Sequence, residues 1–427
     1  MGVSMELLAL LAMIGAFTIV AALLKLPPAL ATAGSAVVGL LITGNFGGVR
    51  HLVEGMFGYF DVILIIATAM VFMKALEGSG ILQEISTRMV RRFGKRRFSL
   101  TLVAMFLLMI PGMLTGSSTA AALTTGRFAI PVLIGAGLPK TRAAALVALG
   151  SIIGMIAPPV NVPVMIIGSG IDMPYVGFDL PLLILSVPMA ILVSLWGVLG
   201  VKGKTEETSV PKNDEVRRLA GVRVYIPLIV VLALMIASRL AGGGIWDIGI
   251  PLMFVVGTVV AFICGRRVPI WRTIVGGVKL GMPVMGILVG AGMFVQIMTL
   301  TGGRGFLVTR ALDLPTQWLI LVASVAMPLF GAVSVYASSS VMGIPIVLAL
   351  LGNNEIVTAA ALSMMAGLGD LLPPIAIVPT LVTQAADPSR EFRRQTIKEC
   401  LLPAAMVLLW AVIVLINAVK IGRLIGL

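Results

Sequence analysis

The sequence predicts an all-α polytopic membrane protein: about ten transmembrane helices plus two re-entrant hairpins, in two inverted repeats. Three observations carry the prediction. The 427 residues are 59% hydrophobic and only 11% charged, with a mean hydropathy of +1.10, whereas a soluble domain carries roughly 25% charge. Apolar runs alternate with short basic loops, as in a chain that crosses a bilayer repeatedly. Two stretches, 99–169 and 317–386, interrupt apolar helix with polar knots and proline pairs at corresponding places.

The spans follow in order. Residues 7–24 form the first; no basic segment precedes them and Lys25-Leu26-Pro27-Pro28 reads as a loop, so they are not a cleavable signal. Residues 29–43 form a shorter second span. Residues 46–59 mix Arg50, His51 and Glu54 with apolar side chains, as a helix lying in the interface does. Residues 60–82 form the third span. Arg88, Arg91, Arg92, Lys95, Arg96 and Arg97 follow without an acidic residue among them, which places that loop in the cytoplasm. Lys140 and Arg142 mark the same side. About 17 residues lie on either side of the knot Thr115-Gly116-Ser117-Ser118-Thr119, short of the ~20 that a full crossing takes. Residues 99–138 therefore read as a hairpin that enters and returns. Residues 142–169 cross outward as a helix broken at Pro158-Pro159, and 180–200 return.

Residues 201–223, with six basic and four acidic side chains, are a cytoplasmic linker. It divides the chain into a first repeat, 1–200, and a second, 224–427. In the second, 224–238 and 250–265 are spans, 268–280 is an interfacial helix and 282–300 crosses outward. A hairpin over 317–351 and a broken helix over 355–386 follow. The repeats align at an offset drifting from about 222 to about 215 residues: Arg50 with Arg272, Pro111 with Pro328, Pro131 with Pro345, Pro158-Pro159 with Pro373-Pro374. Five crossings per half invert the second copy and put both termini outside. Arg390, Arg393, Arg394 and Lys398 then fall inside, as they should; Arg304 and Arg310 fall outside, a mild exception.

Composition and motif also exclude function classes. The net charge of +13 reflects cytoplasmic loops rather than nucleic-acid binding. No GxxxxGK[ST] loop is present to hold ATP. The serine-rich stretches lack a partnered base, the single histidine is His51, and Cys264 and Cys400 have no pairing or metal spacing, so no enzyme constellation emerges. What remains is transport. Interrupted helices in lipid survive only where protein or a watery cavity receives their free backbone groups, and such breaks in both halves point to an ion and solute site.

Hydroxyls and carbonyls suit a hard monovalent cation such as Na⁺, and helix N-termini suit a carboxylate. The candidate cation ligands are Gly116, Ser117, Ser118, Thr119, Ser151, Gly154 and Asn161 in the first half. In the second they are Ser338, Ser339, Gly367, Gly369 and Asp370, with Ser334 and Ser340 on the same hairpin facing that break. The candidate solute contacts are Ser117, Ser118, Arg127, Pro158, Pro159, Asn161, Ser340, Pro373 and Pro374. Small and hydroxyl residues also let membrane helices pack closely, the competing explanation for each of them taken singly. Asp370 is an intramembrane carboxylate, either a cation ligand, a proton carrier, or a group that caps a helix end or neutralises a nearby Arg. Arg127 either attracts an anion or snorkels to the surface. Lys74 and Glu77, one turn apart, read as an ion pair.

The run GSSTAAALTTGRFAIPVLIGAGLPKTRAAALVALGSIIGMIAPPVNVPVMIIG resembles the first hairpin and broken helix of the large membrane subunit of TRAP transporters, the tripartite ATP-independent periplasmic carriers. Gly116, Ser117 and Ser118 match that family's Gly-Ser-Ser tip, and Gly154, Pro158 and Pro159 its Gly…Pro-Pro break. The second half departs from the family's usual tip and break: it reads GAVSVYASSSVMGIP and GLGDLLPPIA, where Asp370 is an extra charge. The resemblance implies an elevator-type, Na⁺-coupled symporter of small organic anions (C4-dicarboxylates, sugar acids and similar carboxylates) in a bacterial or archaeal cytoplasmic membrane. It also implies a small four-helix membrane subunit and a periplasmic substrate-binding protein as partners, and no cofactor beyond the coupling ion. Two other readings stay open: a self-sufficient proton-coupled carrier, and a membrane scaffold or channel without coupled transport.

Overall fold

The computed structural model describes residues 5–44, 46–93, 96–201, 221–240, 248–350 and 352–427; the side chains of some helical residues, Arg127 among them, lie outside the description. Most of the 201–223 linker also falls outside it. The described residues are overwhelmingly helical and contain no strand. Five helical stretches are long and apolar enough to cross a membrane on their own: Val49–Gly78, Arg97–Thr115, Asp179–Val198, Ile270–Leu300 and Arg390–Ile416. Met5–Ala21, Pro28–Ile42, Ile226–Ser238, Gly249–Cys264, Thr316–Gly331 and Val335–Ala349 are shorter apolar helices.

In the first half the order is α1 (Met5–Thr18, ending in a π turn), α2 (Pro28–Ile42), α3 (Val49–Met56), α4 (Phe60–Gly78) and α5 (Ile81–Phe93). The hairpin follows as α6 (Arg97–Thr115), α7 (Ser118–Thr124) and α8 (Gly126–Gly135). The broken helix is α9 (Lys140–Ile156) with α10 (Val162–Gly170), and α11 (Asp179–Val198) closes the half. The second half runs α12 (Ile226–Leu240), α13 (Gly249–Cys264), α14 (Ile270–Leu300) and α15 (Gly303–Leu312). Its hairpin is α16 (Thr316–Gly331), α17 (Val335–Ser338), a π turn at Ser339–Gly343 and α18 (Ile344–Ala349). Its broken helix is α19 (Glu355–Gly367), a 3-10 turn at Leu368–Leu371 and α20 (Ile377–Ala386), followed by α21 (Arg390–Ile416) and α22 (Ala418–Leu424).

One expectation is corrected. Residues 268–280 and 282–300 are not an interfacial helix and a separate span but the single 31-residue helix α14. At ~1.5 Å per residue it is about 46 Å long, more than the ~30 Å hydrocarbon core. Glycines let it lie along its neighbours without a break. A Cβ on Gly277 would come within 2.6 Å of Val71 Cα, and one on Gly55 within 2.8 Å of Met293 Cα. The first half keeps the division, because a turn at 57–59 separates α3 from α4. These two contacts are reciprocal. The 222-residue offset carries Gly55 to Gly277 and Val71 to Met293.

The buried apolar side chains form two bodies. One joins both hairpins, both broken helices, α11 and α21, with Leu146, Ile153, Met327, Leu362 and Val407 among its fully buried members. The other joins α4, α5 and α12–α14 around Phe72, Phe254 and Leu288, extended by α1 and α2 around Met13, Phe294 and Phe17. Leu114, Ala120, Val160, Val162 and Tyr336, all near the hairpin tips or breaks, pack with the second body. The tips therefore sit on the seam between the two.

Charges are paired at the ends of helices. Lys74 and Glu77 form the expected ion pair at 2.9 Å, and Cys264 and Cys400 are free thiols. Arg304 donates to Gly170 O at 2.5 Å, closing the C-terminus of α10. Arg97 donates from Nε to Ala136 O at 2.8 Å and from Nη1 to Val201 O at 2.6 Å, tying together the two roots of the first hairpin. Arg97→Ala is expected to lower stability by about 2 kcal/mol, since two carbonyls lose a charged donor. Thermal unfolding in detergent checks this; an unchanged midpoint would mean that the roots are held by packing alone.

Candidate functional site

The first hairpin turns at Gly116, whose φ of +61° caps α6 in the left-handed region where glycine carries no penalty. A Cβ there would also clash with Val162 at the start of α10. Ser117 then caps α7: its Oγ accepts from Ala120 N at 3.3 Å and shares a 2.9 Å hydrogen bond with Thr119 Oγ1. Thr115 Oγ1 donates to Pro111 O at 2.6 Å and accepts from Ser117 N at 3.3 Å. Ser117 and Ser118 are 1% and 2% exposed and Thr115 is fully buried, while Thr119 is half-buried.

The second half clasps that tip from two sides. Tyr336, just after the second hairpin's turn, donates its hydroxyl to Gly116 O at 3.1 Å. Asp370, in the 3-10 turn before Pro373, accepts the Ser118 hydroxyl through Oδ2. The two halves thus build one site across the seam.

The breaks are held differently. Both Pro-Pro bonds, Pro158–Pro159 and Pro373–Pro374, are cis. Across the first, Asn161 caps α10 by accepting from Val164 N at 3.0 Å, and its Nδ2 donates to Ile156 O at 2.9 Å and to Ser363 Oγ at 3.0 Å. The corresponding cap of α20 is Ala376, at φ +43° and ψ 55°, with no side-chain bond. Each hairpin crosses its broken helix through glycines. A Cβ on Gly112 would stand 2.7 Å from Gly154 C, and one on Gly369 would stand 2.5 Å from Ala332 N.

A model of the family described as Tripartite ATP-independent periplasmic transporter, DctM component, matches residues 3–421. The chain belongs to that family. The solved Alcanivorax borkumensis YdaH transporter has the same fold at 16% identity and a TM-score of 0.65, over 89% of this chain and 90% of that one. Neisseria gonorrhoeae MtrF, described with a class of antimetabolite efflux pumps, is similar at 13% identity and a TM-score of 0.53, over 89% and 85%. No curated protein sequence matches.

Within this DctM-family chain, Gly116, Ser117, Ser118, Thr119 and Asp370 come together at the tip. Pro158, Pro159 and Asn161 form the neighbouring break, which is buried apart from a half-buried Pro159, while Pro373 and Pro374 are exposed. Other candidates are engaged locally. Ser151 donates to Val147 O at 2.8 Å within α9. In the second hairpin Ser338, Ser339 and Ser340 donate to Met327 O, Val335 O and Ala337 O at 2.8, 3.0 and 3.1 Å. The hydroxyl bonded to Asp370 is that of Ser118, from the tip of the first hairpin. Gly154 and Gly369 are sites of close backbone approach, and Gly367 packs against Ile156 and Met155. Arg127 falls on α8, its side chain outside the description. Among the described residues no cluster of His, Cys, Asp and Glu has the makings of a polydentate metal site.

Sequence reasoning missed Tyr336, Tyr175 and Ser363. Tyr175 bridges the first break, donating to Pro159 O and accepting from Asn161 N, both at 3.2 Å. A lone tyrosine in the loop between α10 and α11 carries no pattern by which it could be found. A small cleft of about 50 Å³ lies between α4–α5 and the hairpin arms; Glu77, Gln83, Ser86, Thr124 and Thr125 are its polar lining.

Proposed function

We propose that the chain is the membrane-translocating component of a Na⁺-coupled symporter that takes up small organic anions, a C4-dicarboxylate, sugar acid or similar carboxylate. It works in a bacterial or archaeal cytoplasmic membrane with a small four-helix membrane subunit and a periplasmic binding protein, the partners its family name implies. The two halves are inverted repeats, a reading supported by the reciprocal contacts Gly55–Met293 and Gly277–Val71. The body of hairpins and broken helices moves against the other as an elevator, supported by the division of the apolar core.

The observation that carries the reading is the hydroxyl knot at Thr115–Thr119, clasped by Tyr336 and Asp370 on the seam. Hydroxyl donors there still leave lone pairs for a cation, and the left-handed turn at Gly116 leaves backbone groups outside regular helix. Ser117, Ser118 and Thr119 with the carbonyls around Gly116 and Gly154 hold Na⁺. Solute lies toward Pro158–Pro159, Ser340 and Pro373–Pro374, with Arg127 at the returning arm.

The test is thermal unfolding of the purified chain in Na⁺ against choline at equal ionic strength. A cation bound only by the folded state stabilises it by about 2.7 kcal/mol at a hundredfold excess over Kd. Ser117→Ala should lower the midpoint in choline too, since it removes a helix cap worth about 1 kcal/mol. The informative quantity is the Na⁺-dependent difference, which Ser117→Ala should reduce. A Na⁺ shift that is absent, or untouched by the substitution, would sink the reading.

A further inference from the structure

The two breaks are unequally exposed, and the second carries the carboxyl group of Asp370. Ser117, Ser118 and Asn161 are sealed. The second break is open: Pro373, Pro374 and Ile377 are exposed and Asp370 is half-buried. α20 packs on α7, where Leu123 is exposed and Thr119 half-buried.

Among the described side chains, none of those facing Asp370 is a cation. α9, α16, α19, α20 and α21 pack against the 3-10 turn that carries it. α16 and α20 hold no ionisable side chain, and the only one on α19 is Glu355 in its first turn. On α9, Lys140 and Arg142 stand in the first turn, with Arg142 committed to Leu199 O and Glu399. On α21, the charged side chains and Cys400 all lie between Arg390 and Cys400, near its start. From α7 and α17 the facing groups are the hydroxyls of Ser118 and Tyr336. Among the described residues no cation pairs with Asp370.

We propose that Asp370 is the counter-ion for a protonated amine on the transported solute, so that the cargo is an amino-bearing organic acid rather than a plain carboxylate. This rests on the carrier reading and narrows its substrate class. A plain carboxylate entering beside Asp370 meets a like charge where water screens poorly, and such repulsion is a means of rejecting the wrong partner. A zwitterion gives its ammonium to Asp370 and its carboxylate to the hydroxyls and backbone N–H groups of the tip and breaks. The sealed hydroxyls of Ser117 and Ser118 suit a dehydrated coupling cation; the half-buried Asp370 suits the solute.

The experiment is thermal unfolding of the full chain in saturating Na⁺ with a panel of amino acids and their des-amino counterparts (glutamate with glutarate, aspartate with succinate, alanine with propionate and so on). At least one amino acid should raise the midpoint where its des-amino partner does not. Asp370→Asn should weaken its apparent Kd about tenfold or more, and Asp370→Glu should retain the preference. Equal or stronger stabilisation by the plain acids overturns the proposal, as does no solute shift while the Na⁺ shift persists. A midpoint that follows pH in the wild type but not in Asp370→Asn, without amine preference, also overturns it and makes Asp370 a proton site. Loss of the Na⁺ shift in the wild type removes the carrier reading itself, and the proposal with it.

Discussion

Gly369→Ala should unseat the second hairpin from its broken helix and cost about 3 kcal/mol or more, at the upper end for overpacking. The added Cβ would stand 2.5 Å from Ala332 N. The obstructing atoms are backbone, which has no rotamer to yield. From the other side, a Cβ on Gly331 would meet Gly369 Cα at 3.2 Å and Ala366 C at 3.4 Å. The crossing therefore has no slack in either direction, and the hairpin must shift, moving Tyr336 away from Gly116. Gly34→Ala is the control. It lies within α2 with nothing within 4 Å of its added Cβ, and glycine in a helix interior is worse than alanine by roughly 0.5–1 kcal/mol, so this change should stabilise. Both variants are compared by thermal unfolding and by monodispersity in detergent. A Gly369→Ala midpoint equal to that of the wild type would show that the crossing is looser than its geometry.

Asn161→Ala should cost about 3 kcal/mol. Asn161 is 0% exposed and its side chain makes three hydrogen bonds. Removing it leaves Val164 N, Ile156 O and the Ser363 hydroxyl short of a partner in the interior, at ~1–3 kcal/mol for each group left unsatisfied, less what rearrangement recovers. The damage should spread across the seam of the repeats, because Ser363 belongs to α19 of the other half. A double-mutant cycle with Ser363→Ala should give a coupling of roughly 0.5–3 kcal/mol. Additive losses would mean that Asn161 acts only as the cap of α10. This pair makes Asn161 a structural residue through its side chain, while its carbonyl, which accepts from Met165 N at 3.0 Å, belongs to the first turn of α10.

How much of this was legible in the chain varies by element. The helix interruptions expected at Gly116-Ser117 and at Pro158-Pro159 separate α6 from α7 and α9 from α10. The reason is local: Pro158-Pro159 ends a helix wherever it lies, and Gly116-Ser117 turns and caps one. The Lys74–Glu77 pair was equally visible, since one helical turn sets it. Residues 268–280 and 282–300 misled for the opposite reason. Their change from amphipathic to apolar marks an interface in isolation, yet α14 runs straight because its glycines fit α3 and α4. The serines of the second hairpin bond within it. A hydroxyl in a helix has a carbonyl of its own turn within reach, and Ser339 and Ser340 take that option.

By itself the sequence determined the membrane class, the helical content, the places where helices break and the order of elements in each half. All depend on composition or on contacts within a few residues. Only the tertiary structure decided which tip meets which break: that Ser118 reaches Asp370, Tyr336 reaches Gly116 and Asn161 reaches Ser363. Those partners lie about 200 residues or more apart. Each pairing is selected by the packing of whole helices, whose surfaces are apolar and similar everywhere, so no local pattern marks the few polar side chains that will face one another.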